Sequence, residues 1–420
     1  MTSTRLHLDQ DLTPDAVRQL ATHWLEKNVP SSWLEAARNG DLAELRRRRT
    51  PEQYRAWYPA FADSGLVVPS WPTKYGGLGV SEEVAQVVNE VTSAVGLVRL
   101  NVIGLGLAGP TLLSLGSEEQ RERFLLPLVR NDEIWCQLFS EPGAGSDLAS
   151  LATRASREGD CWVLNGQKVW SSFAHEARFG LTLARTNPRL PKHKGITFFI
   201  TDLNAPGVTV RPLRKMSGDS EFNEVFLDDV QVPDSNRVGD VGDGWRVALQ
   251  TLSHERTMLS GAGSGMRDRT SGRSIERVLQ LALAGAGQAD SPWMEPGVRQ
   301  RLATLWIEET VLRLTNLRAS QARQRGEQAG AEGSIKKLFQ SEHNQRLQEC
   351  ALDLLGARAL AWHEDDNDAG RVVFGFLRSR GDTIAGGTSE IQRNVLGERI
   401  LGLPKDPYDL RDVPWNELPR

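Results

Sequence analysis

The spacing of apolar residues changes twice along this chain, and that order constrains the fold more than any single motif. Up to about residue 135, apolar residues recur every three or four positions. "DLAELRRRRTPEQYRAWYPAFADSGL" (41–66) and "SEEVAQVVNEVTSAVG" (81–96) both show this pattern, which predicts amphipathic helices. Ser81, followed by Glu82 and Glu83, is an N-cap with acidic first-turn residues. "SWPTKYGGLGV" (70–80) interrupts the helices as a Pro/Gly loop.

Short β-prone runs follow. "CWVLNGQKVW" (161–170) reads as two strands joined by a turn at Asn165-Gly166, a strong hairpin signal. "FGLTLART", "GITFFITDL", "VTVRPLRKM" and "FNEVFLDDVQV" continue as strands, so residues 136–235 form a compact β region. Helical spacing returns near residue 243. "DGWRVALQTLSHERTMLSG" ends at Gly261, and two long runs, 296–324 and 334–356, read as amphipathic helices. The Gly-rich spots "GAGSG" (261–265) and "AGAGQAD" (284–290) follow no strand. They read as helix-end loops rather than dinucleotide fingerprints.

Composition excludes several function classes. The 420 residues carry 50 Lys+Arg against 54 Asp+Glu, a net charge of −4. No polybasic field suits nucleic acid or an anionic membrane, and "ELRRRRT" (44–50) reads as a solvated helix face. The cysteines at 136, 161 and 350 are odd in number and widely spaced. That disfavours a disulfide framework or a metal site and suits a reducing compartment. The first residues lack the apolar core of a signal peptide. The apolar stretch 97–116 is broken by Arg99, Asn101 and Pro110, so it reads as a buried helix rather than a membrane span. A soluble cytoplasmic protein is expected.

Two stretches in the β region carry ligand-binding chemistry. In "WCQLFSEPGAGSDLASLATRA" (135–155) a short strand runs into Pro142, Gly143 and Gly145, then Ser146. The glycines allow backbone to approach a flat or charged ligand. Ser140 and Ser146 can donate to it, as can the backbone N–H groups of Phe139 and Ser140. In "VWSSF" (169–173) Trp170 and Ser172 lie two apart, so on a strand they share one face. An indole beside a hydroxyl suits a planar heteroaromatic ring. A core Trp beside a satisfied Ser explains the same pattern.

"SEPGAGSD", "VLNGQKVWSS", "WPTKYGGLG" and "GGTSEIQR" together resemble the signatures of the acyl-CoA dehydrogenase family, in the family's order and over the chain from about residue 50. The resemblance implies an α+β multidomain fold. A helical domain (1–135) precedes a β-barrel-like domain (136–240) and a C-terminal four-helix bundle (241–420). It implies FAD, with Gln137, Phe139 and Ser140 at the isoalloxazine and Gly145 in the same loop. Trp170 would pack against the ring and Ser172 would hydrogen-bond near N5. Ser146 would lie by the pyrophosphate and the substrate's pantetheine, and Thr388 and Glu390 would meet the FAD of a subunit. The implied reaction is α,β-dehydrogenation of an acyl-CoA thioester in lipid β-oxidation, with electrons passed to an electron-transfer flavoprotein. A homotetramer or homodimer is implied.

Many family members carry the base for this reaction as the Glu of a Glu-Gly-Thr step, but aligning that Thr on Thr388 puts Gly386 where the Glu would be. Relatives of isovaleryl- and long-chain type place the Glu on the helix after the β domain, directly before an Arg. Here that helix holds Glu255 and Arg256. By this resemblance Glu255 is the base, while Arg256, Ser253, Gly386 and Gly387 serve the substrate. The Gly386 N–H remains available as an oxyanion donor. His254, adjacent to Glu255, is expected to serve the surface or packing.

The chain departs from the family in lacking an Arg-x-x-Phe-Gly step within 281–302. It also has Asp353 and Ala357 where many relatives have Gln and Gly. An acidic residue beside a pyrophosphate is unfavourable unless paired or turned away, so a mixed tetramer with a related chain stays open. So do a flavin-dependent oxygenase or oxidase on the same fold and a non-catalytic partner subunit. Acyl chain length and branching are not readable.

Overall fold

The computed structural model describes residues 5–6, 13–259, 274–284, 291–325, 333–360, 367–405, 410 and 412–419. Seven helices come first: α1 (Pro14–Asn28), α2 (Ser31–Arg38), α3 (Leu42–Arg48), α4 (Pro51–Asp63), α5 (Glu82–Ala94), α6 (Gly109–Leu115) and α7 (Glu118–Arg130). Ser81 caps α5, its Oγ accepting from the Val84 N–H. The expected single run over 41–66 is two helices. Thr50 and Gln53 form a reciprocal capping box, and Pro51 occupies the first turn of α4. The cap gives the α4 N–H groups their partners, so a new helix starts there rather than the old one continuing. The apolar stretch 97–116 is helical from residue 102 to 115, and not over 97–101. Asn101 takes φ 54°, its amide donating to the Leu128 and Glu133 carbonyls while its Oδ1 accepts from the Trp135 N–H. A π-helical segment over Gly104–Ala108 then runs directly into α6. No helix among the described residues is long and apolar enough to cross a membrane.

Eight strands form one sheet: β1 (Trp135–Leu138), β2 (Arg154–Glu158), β3 (Cys161–Lys168), β4 (Phe179–Arg185), β5 (Ile196–Asp202), β6 (Val208–Leu213), β7 (Phe222–Pro233) and β8 (Arg237–Val238). Their order is β6-β7-β3-β2-β4-β5-β8, with β1 parallel to β4. Phe179, Leu181 and Leu183 of β4, with Phe198 and Ile200 of β5, join the core under the N-terminal helices. The opposite face contributes Leu138, Trp162, Leu164, Phe199, Val225 and Val230 to a second core made by the sheet itself. Strands buried on both faces lose the clean alternation of a half-exposed sheet.

The hairpin expected at Asn165-Gly166 is not there. β3 runs straight through both residues, and the turn into it lies at Gly159-Asp160 instead. Asn165 and Asp229 exchange two hydrogen bonds across the β3–β7 ladder, whose register shifts between Leu164 and Gly166. The Asn side chain is thus spent on the neighbouring strand rather than on its own turn. A Cβ at position 166 would sit 2.7 Å from the Thr153 Cα, so close backbone approach demands the glycine. "VWSSF" is likewise not an alternating strand. β3 ends at Lys168, and Trp170 (φ 61°) and Phe173 (φ 58°) both turn left-handed.

After the sheet come α8 (Gly244–Leu259), α9 (Ile275–Leu283), α10 (Pro296–Gln324), α11 (Gly333–Leu355), α12 (Asn367–Asp382) and α13 (Ser389–Arg399). The chain divides into two compact units. One holds the N-terminal helices, the sheet, α8 and the segment 410–419, and the other holds α9 to α13. α9, α10, α11 and α12 share one core, built on Val278, Leu302, Leu305, Leu347, Ala351 and Val372. The two long helices are less cleanly amphipathic than their sequences suggest. α11 buries Ser341, His343, Asn344 and Gln348, while α10 exposes Ile307, Val311, Leu314 and Leu317. Their apolar residues divide between the shared core and a second, uncovered face. Gly261–Gly265 and residues 285–290, read above as helix-end loops, lie outside the described residues.

Candidate functional site

The two motifs of the β region meet at the ends of β1 and β3. The Val169 N–H donates to the Ser140 carbonyl at 2.9 Å. One residue earlier, the fully buried Lys168 donates to the Phe139 carbonyl at 3.2 Å and to Glu141 Oε1 at 2.7 Å. Glu141, 7% exposed, also accepts from the N–H groups of Ala152 (2.6 Å) and Thr153 (3.0 Å). One carboxylate therefore ties the two ends of the loop 140–153 together. Burial opposes ionisation of Glu141, but Lys168 and the N–H donors outweigh it and hold the carboxyl below its usual range. Lys168 is shifted down by burial, against the pull of Glu141.

Within this clamp the loop makes a tight turn, with Glu141 and Ala144 exchanging both backbone hydrogen bonds. Gly143, Gly145 and Ser146 are exposed at its apex, and a Cβ at either glycine would meet nothing within 4 Å. Nothing in the chain's own packing demands glycine there. An open cradle of backbone beside a hydroxyl fits a ligand that lies against the main chain.

Trp170 follows Val169, whose N–H meets the Ser140 carbonyl, and packs against β7. It is 60% exposed, with one edge against Phe222 at 5.8 Å between ring centroids. Its neighbours are fixed: Ser171 and Asn223 exchange backbone hydrogen bonds, and the Phe173 N–H donates to the Glu221 carbonyl. An exposed indole on a fixed backbone offers a flat face to a planar ring. Ser172 in the same stretch and Gln137 of β1 are half-buried, and Phe139 is buried with its ring edge-on to Phe198. Open glycine backbone, an exposed indole and adjacent hydroxyls fit a flavin dinucleotide.

α8 sits firmly against the rest of its unit. Val247 and Ala248 are buried, Thr251 Oγ1 lies 2.9 Å from Thr111 Oγ1, and Gly244 packs against the Thr197 backbone. Ser253 is exposed and His254 half-buried, its pKa lowered by that burial. Glu255 and Arg256 occupy the next helical positions, and their side chains lie outside the described ones.

In the second unit, Gly386 (φ 68°) and Gly387 (φ 90°) are consecutive left-handed residues. Lys337 of α11 donates to the Gly387 carbonyl, and Gln392 donates to the Gly386 carbonyl at 3.0 Å. Thr388 caps α13, its Oγ1 accepting from the Ile391 N–H at 3.2 Å. A polar cavity of about 440 Å³ opens beside this cap, lined by Gln345, Arg346, Thr388, Ser389, Glu390 and Arg393 among others. Glu390 is held below its usual carboxyl range by its own backbone N–H and the Thr388 hydroxyl. The Ser389 hydroxyl is buried with no partner among the described residues. Such a group calls for a ligand or water. Asp353, the acidic departure, is paired with Arg301 at 2.5 Å.

Sequence reasoning missed Lys168, Ser389, Lys337 and Gln392. None carried a local signal: even Lys168 closes β3 after Asn165, Gly166 and Gln167, as an ordinary polar strand end would.

Three family descriptions match successive parts of the chain. They are acyl-CoA dehydrogenase N-terminal domain over 14–132, middle domain over 136–230 and C-terminal domain over 242–401. The chain is 41% identical over 355 residues to acyl-CoA dehydrogenase FadE34 of Mycobacterium tuberculosis, covering 84% of this chain and 47% of that one. It thus spans about half the length of that relative. To acyl-CoA dehydrogenase IpdE1 of the same organism it is 38% identical over 386 residues, covering 91% and 96%. Among solved structures, a variant of the Tcur3481-Tcur3483 steroid ACAD matches with a TM-score of 0.74 at 30% identity, covering 94% of this chain and 100% of that one.

Proposed function

We propose that this chain, which belongs to the acyl-CoA dehydrogenase family, oxidises an acyl-CoA thioester to its trans-2-enoyl-CoA. In this reading Glu255 takes the α proton. Members of the family are FAD-dependent oxidoreductases; FAD, when bound, would supply the hydride acceptor for the β carbon, with the electrons passing on to an electron-transfer flavoprotein. Trp170 presents its indole to the isoalloxazine, and Ser172, Gln137, Phe139 and Ser140 line the ring edge. Ser146 lies by the pyrophosphate and the pantetheine, with Gly145 in the same loop, and Thr388 and Glu390 meet the FAD of a subunit.

The observation that carries this reading is the state of position 386. Gly386 has no side-chain proton acceptor and a left-handed φ of 68°, where a carboxylate-bearing residue is strained. Its own carbonyl is tied to Gln392. The loop therefore offers N–H groups and no base, which suits an oxyanion donor at Gly386 and Gly387. The base must come from elsewhere, and α8 supplies Glu255 with Arg256 and Ser253 beside it for the substrate.

Two finer points follow from likeness. The solved relative named as a steroid ACAD supports a bulky, ring-bearing acyl group, and its paired name supports a mixed assembly over a homotetramer or homodimer. The uncovered Ile307, Val311, Leu314 and Leu317 of α10 agree with a second chain.

Glu255→Gln tests the base. The variant is expected to keep FAD with an unchanged spectrum, while anaerobic flavin reduction by acyl-CoA slows at least ~10²-fold. Reduction near the wild-type rate would remove Glu255 from the mechanism. Run over straight-chain, branched and ring-bearing acyl-CoAs, the same assay identifies the substrate class.

A further inference from the structure

Segment 410–419 returns to the first unit and reaches the cofactor loop from the far end of the chain. Pro414 bridges to Pro191, the Trp415 N–H donates to the Leu190 carbonyl, and the Asn416 N–H donates to the Pro188 carbonyl. These bonds set the Trp415 ring over Arg185, with 4.4 Å from the guanidinium carbon to the ring centre. The Trp415 Nε1–H donates to the Ser150 carbonyl at 3.2 Å.

Arg185, at the end of β4, is 3% exposed. It donates to the carbonyls of Ala149 (2.6 Å), Leu151 (3.0 Å) and Lys192 (3.2 Å). Burial lowers its pKa to about 10, the sign of a cation taken from water. Carbonyl dipoles fill its edge, and an aromatic face is the complement for its plane.

The consequence shows in the return arm of the loop. Three successive carbonyls, Ala149, Ser150 and Leu151, are taken by Arg185, Trp415 and Arg185 in turn. The next two N–H groups, of Ala152 and Thr153, go to Glu141. Lys192, whose carbonyl Arg185 also holds, pairs through its ammonium with Asp147 at 2.7 Å. The apex at Gly143–Ser146 therefore projects from an arm pinned at 147 and at each step from 149 to 153.

We propose that Trp415 is a positioning residue for the cofactor loop, acting through Arg185 and the Ser150 carbonyl. The proposal rests on the reading that this loop meets FAD. Trp415 touches no reacting atom. It fixes the arm from which the glycine cradle and Ser146 project.

The test uses the full chain in FAD-loaded and FAD-depleted forms. In Trp415→Ala, amide hydrogen exchange over 147–153 is expected to accelerate about tenfold or more in the FAD-depleted protein. The FAD dissociation constant, read by flavin fluorescence, is expected to rise about tenfold. Trp415→Phe keeps an aromatic face over Arg185 and loses only the bond to Ser150, so it should restore most of the FAD affinity. Wild-type exchange over 147–153 in both variants would overturn the proposal. Faster exchange with wild-type FAD affinity would overturn instead the reading of this loop as the cofactor loop, and the proposal with it.

Discussion

Replacing Lys168 by Met isolates the physics of the clamp. The ammonium is fully buried and makes two contacts, one to Glu141 and one to the Phe139 carbonyl. Methionine matches the length of the aliphatic stem but offers no donor. Glu141 is left 7% exposed, with the Ala152 and Thr153 N–H groups and the nearby Arg185 guanidinium against its charge. Removing one partner of a buried pair typically costs about 3–5 kcal/mol, because an uncompensated charge remains. The two N–H donors retained by Glu141 place the expected loss toward the lower end, about 3 kcal/mol. Removing both charges relieves most of it, so Lys168→Met/Glu141→Gln should lie well above the sum of the singles. Equilibrium urea unfolding followed by Trp fluorescence measures all four corners of the cycle. The pH dependence has a definite sign. The Glu141 carboxyl is depressed below its ordinary 4.5, so its stabilisation is fully present above that value and is lost as pH falls through the lower folded value. In Lys168→Met this acid-side loss should shrink, since Glu141 protonates more readily. Additive single and double variants, or an unchanged acid limb, would refute the clamp.

The remaining predictions concern other parts of the chain. Glu255→Gly/Gly386→Glu should recover part of the turnover that Glu255→Gly loses, reduced by a left-handed strain of about 1–2 kcal/mol at 386; no recovery in a steady-state acyl-CoA assay counts against a shared target carbon. His343 is buried against Glu308 (2.8 Å) and Glu309 (3.9 Å), and Arg346 shares Glu308. Burial works against its charge, but the two carboxylates outweigh it and raise its pKa above the ordinary 6.5. Its stabilisation is therefore present below pH 6.5 and is lost as pH rises through the higher folded value. Thermal midpoints across that range should fall in the wild type and stay flat in His343→Gln.

Much of the architecture was legible because it is local. The Ser81 cap and the strand runs 179–185, 196–202, 208–213 and 222–233 sit where their side chains suggest. Asn165-Gly166 shows where local reading stops. The same dipeptide that turns a hairpin serves here as a cross-strand bond to Asp229 and a close approach to Thr153. Whether the Asn side chain serves its own turn or a neighbouring strand depends on a partner 64 residues away. The left-handed Trp170 follows the same logic, because contacts of Ser171 and Phe173 with 221–223 bend the chain out of the strand.

By itself the sequence determined the family, the helical–β–helical order, and the absence of a side-chain carboxylate at Gly386. Those are properties of residue type and spacing. Only the tertiary structure decided how the site residues are held: Lys168 against Glu141, Lys337 and Gln392 on the glycine carbonyls, and Trp415 over Arg185. A hydrogen bond reaches only about 3 Å. All but the local Gln392–Gly386 pair join residues that become neighbours only after the chain has folded.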